Sequence, residues 1–108
     1  MHGREATANN KQMTKATINE FVARLNNKFG DDYEFSVTYG GKNARIINVP
    51  VGTDTRYCYC FVRIADGAVL KSASWKAPAA GVRAWLTDVM ANNLADVDQF
   101  GSWLYRSR

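Results

Sequence analysis

At Tyr33 the hydrophobic period of this sequence changes from that of a helix to that of a strand. From Tyr33 to Tyr39 the side chains alternate, with Tyr33, Phe35, Val37 and Tyr39 on one side and Glu34, Ser36 and Thr38 on the other. A period of two is the signature of a strand. Gly40-Gly41-Lys42-Asn43 supplies turn residues, after which Ala44 to Val51 resumes a β-rich run with Ile46, Ile47 and Val49. Pro50 has no backbone donor and belongs near a strand end or on an edge. After the turn formers Gly52-Thr53-Asp54, residues 56–64 alternate again. Tyr57, Tyr59, Phe61 and Arg63 fall on one side and Cys58, Cys60, Val62 and Ile64, which read as core, on the other. Asp66-Gly67 is a strong hairpin signal leading into a strand from Ala68 to Ser74. Such short links predict an antiparallel meander of four strands.

Upstream, Ile18, Phe21, Val22, Leu25 and Phe29 recur at helical spacing as one apolar stripe, while Asn19, Arg24, Asn27 and Lys28 face away. Thr17-x-x-Glu20 has the form of a capping box and predicts a helix start at Thr17; Gly30 predicts its end in a left-handed residue. Residues 1–12 show no period and read as a disordered leader or an added extension, leaving 13–108 as a single α+β domain. Beyond Trp75-Lys76-Ala77-Pro78 the proline halts the strand. Val82, Trp85, Leu86, Val89 and Met90 then form a second stripe, predicting a helix from about Ala80 to Ala91. The end of the chain, with Phe100, Trp103 and Tyr105, reads as a short turn or helix and a docked tail. The predicted order is α-β-β-β-β-α, with Ile18, Phe21 and Leu25 packed on Cys58, Cys60, Val62 and Ile64.

A length of 108 residues at 46% hydrophobic content suits one core and not two. No apolar run is long enough for a membrane span and no secretory signal opens the chain, so the expected location is the cytoplasm. Cys58 and Cys60, two apart on a strand, would share a face, where a disulfide would distort the backbone; reduced core thiols are expected. Zinc wants four ligands and the only histidine is His2, so neither metal nor cofactor is expected. The sequence also lacks a Ser/His/Asp or Cys/His set and a phosphate-cradling Gly-rich loop, which argues against an enzyme.

The net charge of +4 is concentrated in the middle of the chain. Residues 37–86 carry Lys42, Arg45, Arg56, Arg63, Lys71, Lys76 and Arg83 against Asp54 and Asp66, a local +5, while the remainder sums to −1. A basic segment suits a polyanion. It is also interleaved with Tyr39, Tyr57, Tyr59 and Phe61. Flat rings stack on unpaired bases while cations follow the backbone, so the expected partner is single-stranded nucleic acid, bound with little sequence preference. The competing reading is a protein-interaction module, a virion component or an inhibitor of a host factor, since strands favour aromatics in any case. The large apolar surface of Trp85, Met90, Phe100, Trp103 and Tyr105 predicts a homodimer.

The run from Asp66 to Arg83, DGAVLKSASWKAPAAGVR, resembles small uncharacterised bacteriophage proteins in which D-G-x-x-x-K-x-A-S-W-K-x-P-A precedes a basic helix. Gly101-Ser102-Trp103-Leu104-Tyr105-Arg106 resembles their Gly-rich aromatic ending. The resemblance implies a phage origin and a host cytoplasm, and brings no activity with it. Within it, Lys71 and Lys76 flank Trp75 and Arg83 follows, a compact set for an anionic ligand; Trp75 could equally plug the core where the chain leaves the sheet. Four strands followed by a helix also resemble the Whirly and transcriptional-coactivator class of single-strand DNA binders, which dimerise through that helix. The N-terminal helix and aromatic tail depart from that pattern. The candidate interface is therefore Lys42, Arg45, Tyr57, Tyr59, Arg63, Lys71, Trp75, Lys76 and Arg83.

Overall fold

The computed structural model describes residues 2–105, with side chains described from Asn10 onward. Helix α1 spans His2–Phe29 and is followed by strands β1 (Tyr33–Tyr39), β2 (Asn43–Pro50), β3 (Tyr57–Arg63), β4 (Ala68–Leu70) and β5 (Ala84–Trp85). Helix α2 (Leu86–Ala91) and a 3-10 turn (Ser102–Tyr105) complete the chain. The sheet is an antiparallel meander in the order β1-β2-β3-β4-β5. This is the α+β class read from the sequence, with a fifth strand added. Among the described residues no helix is long and apolar enough to cross a membrane.

The apolar stripe of α1 packs where its period places it, with Ile18, Phe21 and Leu25 wholly buried against the sheet. The helix start at Thr17 is corrected. Thr17 lies inside α1, its hydroxyl donating to the Met13 carbonyl at 2.9 Å as Thr14 does to Asn10 at 2.8 Å. Glu20 pairs with Arg24 at 3.3 Å. No Pro or Gly interrupts residues 4–29, and extending a nucleated helix costs far less than starting one, so the backbone continues back through the expected leader. Gly30 ends the helix without a left-handed φ; a Cβ there would sit 2.2 Å from the Asn26 carbonyl oxygen.

The alternation of β3 is broken by a bulge. Ile46 pairs with Cys60 but Ile47 pairs with Cys58, leaving Tyr59 as the additional residue. Tyr59 and Cys60 therefore both enter the core beneath α1, while Cys58 goes with Phe61, Ala68 and Leu70 to the opposite face. The two cysteines do not share a face, and both are free thiols.

The helix expected from Ala80 begins later. Arg83 donates its backbone N–H to the Val69 carbonyl at 2.8 Å and Leu86 to that of Gly67 at 2.9 Å, so the outer edge of β4 draws this segment into β5. Only Leu86–Ala91 remains helical. The tail then closes the core: Leu94, Val97, Trp103 and Leu104 are buried with Leu86 and Val89. Trp103 donates its indole N–H to the Tyr59 hydroxyl at 2.9 Å, and that hydroxyl donates to the Asp98 carbonyl.

Candidate functional site

The sheet face away from α1 carries Thr38 on β1, Arg45 on β2 and Phe61 on β3 in one cross-strand row. Arg45 bridges its neighbours, donating from Nη1 to Thr38 Oγ1 at 3.2 Å and lying 5.7 Å from the Phe61 ring centroid. Phe61, expected on an exposed platform, is 3% exposed and packs with Ala68 and Leu70 instead.

What covers this row is the segment between β4 and β5. A bridge between Ser72 and Pro78 folds it into a narrow loop, and the Ser74 hydroxyl accepts the backbone N–H groups of Lys76 and Ala77, each at 3.2 Å. That turn holds Trp75 and Lys76 at the tip. Arg45 Nε donates to the Trp75 carbonyl at 2.8 Å, and its guanidinium lies 4.8 Å from the indole centroid. Arg56, from the approach to β3, brings a second guanidinium to 5.1 Å from the same ring. Trp75 is not a core plug. It is 37% exposed, on the face opposite α1, with two cations close to its ring.

Beside it opens a cleft of about 240 Å³ bordered by the β1–β2 turn, Arg45, Phe61 and Lys76. Lys42, Arg45 and Lys76 line it and no carboxylate does. Among the described residues, none of these three cations nor Arg56 forms a salt bridge. The site can therefore take an anion and present an exposed indole beside it.

The structure divides the nine expected residues. Lys42, Arg45, Trp75 and Lys76 come together. Tyr57, 54% exposed, lies with Lys71 toward the other end of β3, where the Lys71 ammonium stands 4.6 Å over the Tyr105 ring. Tyr59 leaves the interface, because the bulge turns it into the core and its hydroxyl is consumed by Trp103 and Asp98. Arg63 is held by Asp66 through two bonds of 2.9 and 2.7 Å, which holds that carboxyl below its usual range. Arg83 is occupied, its Nε donating to the Leu104 carbonyl. Of the residues expected to bury a dimer interface, Trp103 is in the core and Met90 packs against it, while Trp85, Phe100 and Tyr105 remain exposed.

Arg56 was counted in the basic segment and in the alternating run but not singled out, because a two-residue period assigns a face and not a long-range contact. Only the fold of the 71–79 loop brings it to Trp75.

Residues 4–106 match the model of a family of unknown function, DUF7717, and that span includes most of the segment expected to be a leader. No curated protein and no solved structure matches the chain.

Proposed function

The chain belongs to the family of unknown function DUF7717, and from that premise we propose that this protein binds single-stranded nucleic acid on the sheet face away from α1. The observation that carries the reading is the exposed Trp75 ring with the Arg45 and Arg56 guanidiniums 4.8 and 5.1 Å from its centroid, beside Lys42 and Lys76, which have no carboxylate partner among the described residues. An exposed indole beside guanidiniums gives a base a flat surface to stack on, and lysines outside any salt bridge take the adjoining phosphates. Stacking tolerates any base, so the reading is a binding role with weak sequence preference. The phage-like string DGAVLKSASWKAPAAGVR builds this loop, which accords with a role in the cytoplasm of an infected host.

The test is fluorescence anisotropy of a labelled single strand and of its duplex across a salt series. Binding should favour the single strand and weaken log-linearly with salt, by about 0.7 in slope for each phosphate neutralised. Absence of any anisotropy change at low salt would refute the reading. One observation favours a second reading, a protein interface: Trp85 on the edge strand β5 and Val82 beside it are 41% and 37% exposed. A partner held there would bind with little salt dependence.

A further inference from the structure

At the β1–β2 turn the cationic cleft meets a second groove. This one, of about 220 Å³, is lined by Lys11 of α1, Gly41 and Lys42 of the turn, and Arg63, Ile64 and Ala65 at and beyond the end of β3. Gly41 and Lys42 border both grooves. Tyr39, at the end of β1, holds α1 beside the turn: its hydroxyl donates to Asn19 Oδ1 at 2.6 Å and to the Lys15 carbonyl at 3.3 Å. Lys11 lies about one helical turn further toward the start of α1. From the sheet, the Ile64 N–H donates to the Lys42 carbonyl at 2.9 Å, so the backbone that carries each lysine is tied in place.

No carboxylate lines either groove, and among the described residues neither Lys11 nor Lys42 forms a salt bridge. Arg63 borders the second groove with its charge met by Asp66. Lys11 and Lys15 stand at i and i+4 on α1, like charges on one side of the helix, an arrangement that disfavours the helix slightly. Cations set along two adjoining grooves suit a chain of anions, which can meet them together, better than one small anion. Gly41 adds an independent observation. Its φ is not left-handed and a Cβ there would meet no atom within 4 Å, so neither backbone strain nor packing requires glycine. A position without a side chain, where two cationic grooves meet, lets the backbone of a ligand approach closely.

We infer that a single strand held at Trp75 continues across the β1–β2 turn at Gly41 into the second groove, where Lys11 of α1 takes a further phosphate. The inference deepens the reading of the protein as a single-strand binder and rests on it for the natural source of the phosphates. It gives the strand a course, from the sheet face that carries Trp75 over the turn to α1. It also gives a binding role to part of the stretch expected to be a leader, which the family match includes.

Two measurements test the course. In the anisotropy salt series, Lys11→Ala should lower the slope by about 0.7, the loss of a single phosphate contact. Lys28→Gln removes the same charge at the other end of α1, where the ammonium bonds to the Leu94 carbonyl, and should leave the slope unchanged. Gly41→Leu should weaken strand binding several-fold without lowering Tm, since the added side chain meets only solvent in the unbound fold. In NMR titrations of the wild type, inorganic polyphosphate, a phosphate chain without bases, should move the amide signals of Lys11, Gly41 and Lys42. If strands bind and the slope for Lys11→Ala falls no further than for Lys28→Gln, the path over the turn is overturned and the Trp75 reading stands. If polyphosphate moves those signals and no strand binds, the nucleic-acid reading is overturned and the groove stands as a site for a phosphate chain. Silence of both probes overturns both.

Discussion

The carboxamide of Asn26 completes the backbone hydrogen bonding of Phe35: its Nδ2 donates to the Phe35 carbonyl at 2.9 Å and its Oδ1 accepts the Phe35 N–H at 2.7 Å. β1 is an edge strand, so a side chain of α1 stands in for a neighbouring strand at its middle. The same contact locks α1 in register over the sheet.

Asn26→Ala should therefore lower stability by about 1–3 kcal/mol, because both groups of Phe35 lose a partner beside a buried ring. Urea unfolding measures that loss. Opening the edge should also raise self-association, seen as a concentration-dependent mass in light scattering. An unchanged midpoint would show that water replaces the amide without penalty.

Tyr59 and Trp103 form a buried pair that ties the bulge in β3 to the tail. Burial pushes the Tyr59 phenol far above its ordinary range, so it stays a neutral donor to Asp98. Tyr59→Phe should cost about 1–3 kcal/mol, and adding Trp103→Phe should cost less than the sum of the two single changes, since both break one bond. Oligonucleotide affinity should not move.

In the cationic cleft, the Lys42→Ala, Lys76→Ala double variant should reduce the salt slope of single-strand binding by about 1.4, two phosphate contacts at roughly 0.7 each. Trp75→Ala should lose affinity, by about 1–3 kcal/mol per base stacked, with the slope kept. Arg63→Ala is the control: Asp66 already occupies its guanidinium, so neither quantity should change. A slope that falls for Arg63→Ala and not for the lysines would move the interface elsewhere.

Asp98 gives the pH dependence. Burial works against its charged form, but the Ser102 hydroxyl and backbone N–H and the Phe100 N–H outweigh it and hold the carboxyl below its usual value. A depressed folded value means that its stabilisation is complete above the unfolded carboxylate range and is lost as pH falls through the folded one. The Tm advantage of the wild type over Asp98→Asn should be constant near neutrality and shrink on acidification. An advantage that persists into strong acid would assign it to shape alone.

The bulge also separates the two thiols chemically. Burial pushes Cys60 well above the ordinary thiol range, and it raises Cys58 too, there opposed by a Ser72 hydrogen bond and the Arg45 charge. With iodoacetamide at mildly alkaline pH, native protein should be modified slowly at Cys58 and at Cys60 only after unfolding. Equal native rates would contradict the buried position of Cys60.

Much of the fold was legible along the chain because it rests on neighbours in sequence. The stripe from Ile18 to Phe29, the alternation of β1 and the Asp66-Gly67 turn, with Gly67 at φ +76°, are local facts, and each element formed where its period placed it. What tertiary structure decided were the cases in which a distant partner outweighed local preference. The ladder edge of β4 took Ala84 and Trp85 from the helix expected from Ala80 to Ala91, and one additional residue opposite Ile46 and Ile47 moved Tyr59 from the interface to the core. The candidate site divides in the same way. Lys42, Arg45, Trp75 and Lys76 were named from charge and aromatic content, which the sequence states outright. That Arg63 and Arg83 are already occupied, and that Arg56 reaches Trp75, depends on loops and the tail returning across the sheet, and no local period encodes a contact of that range.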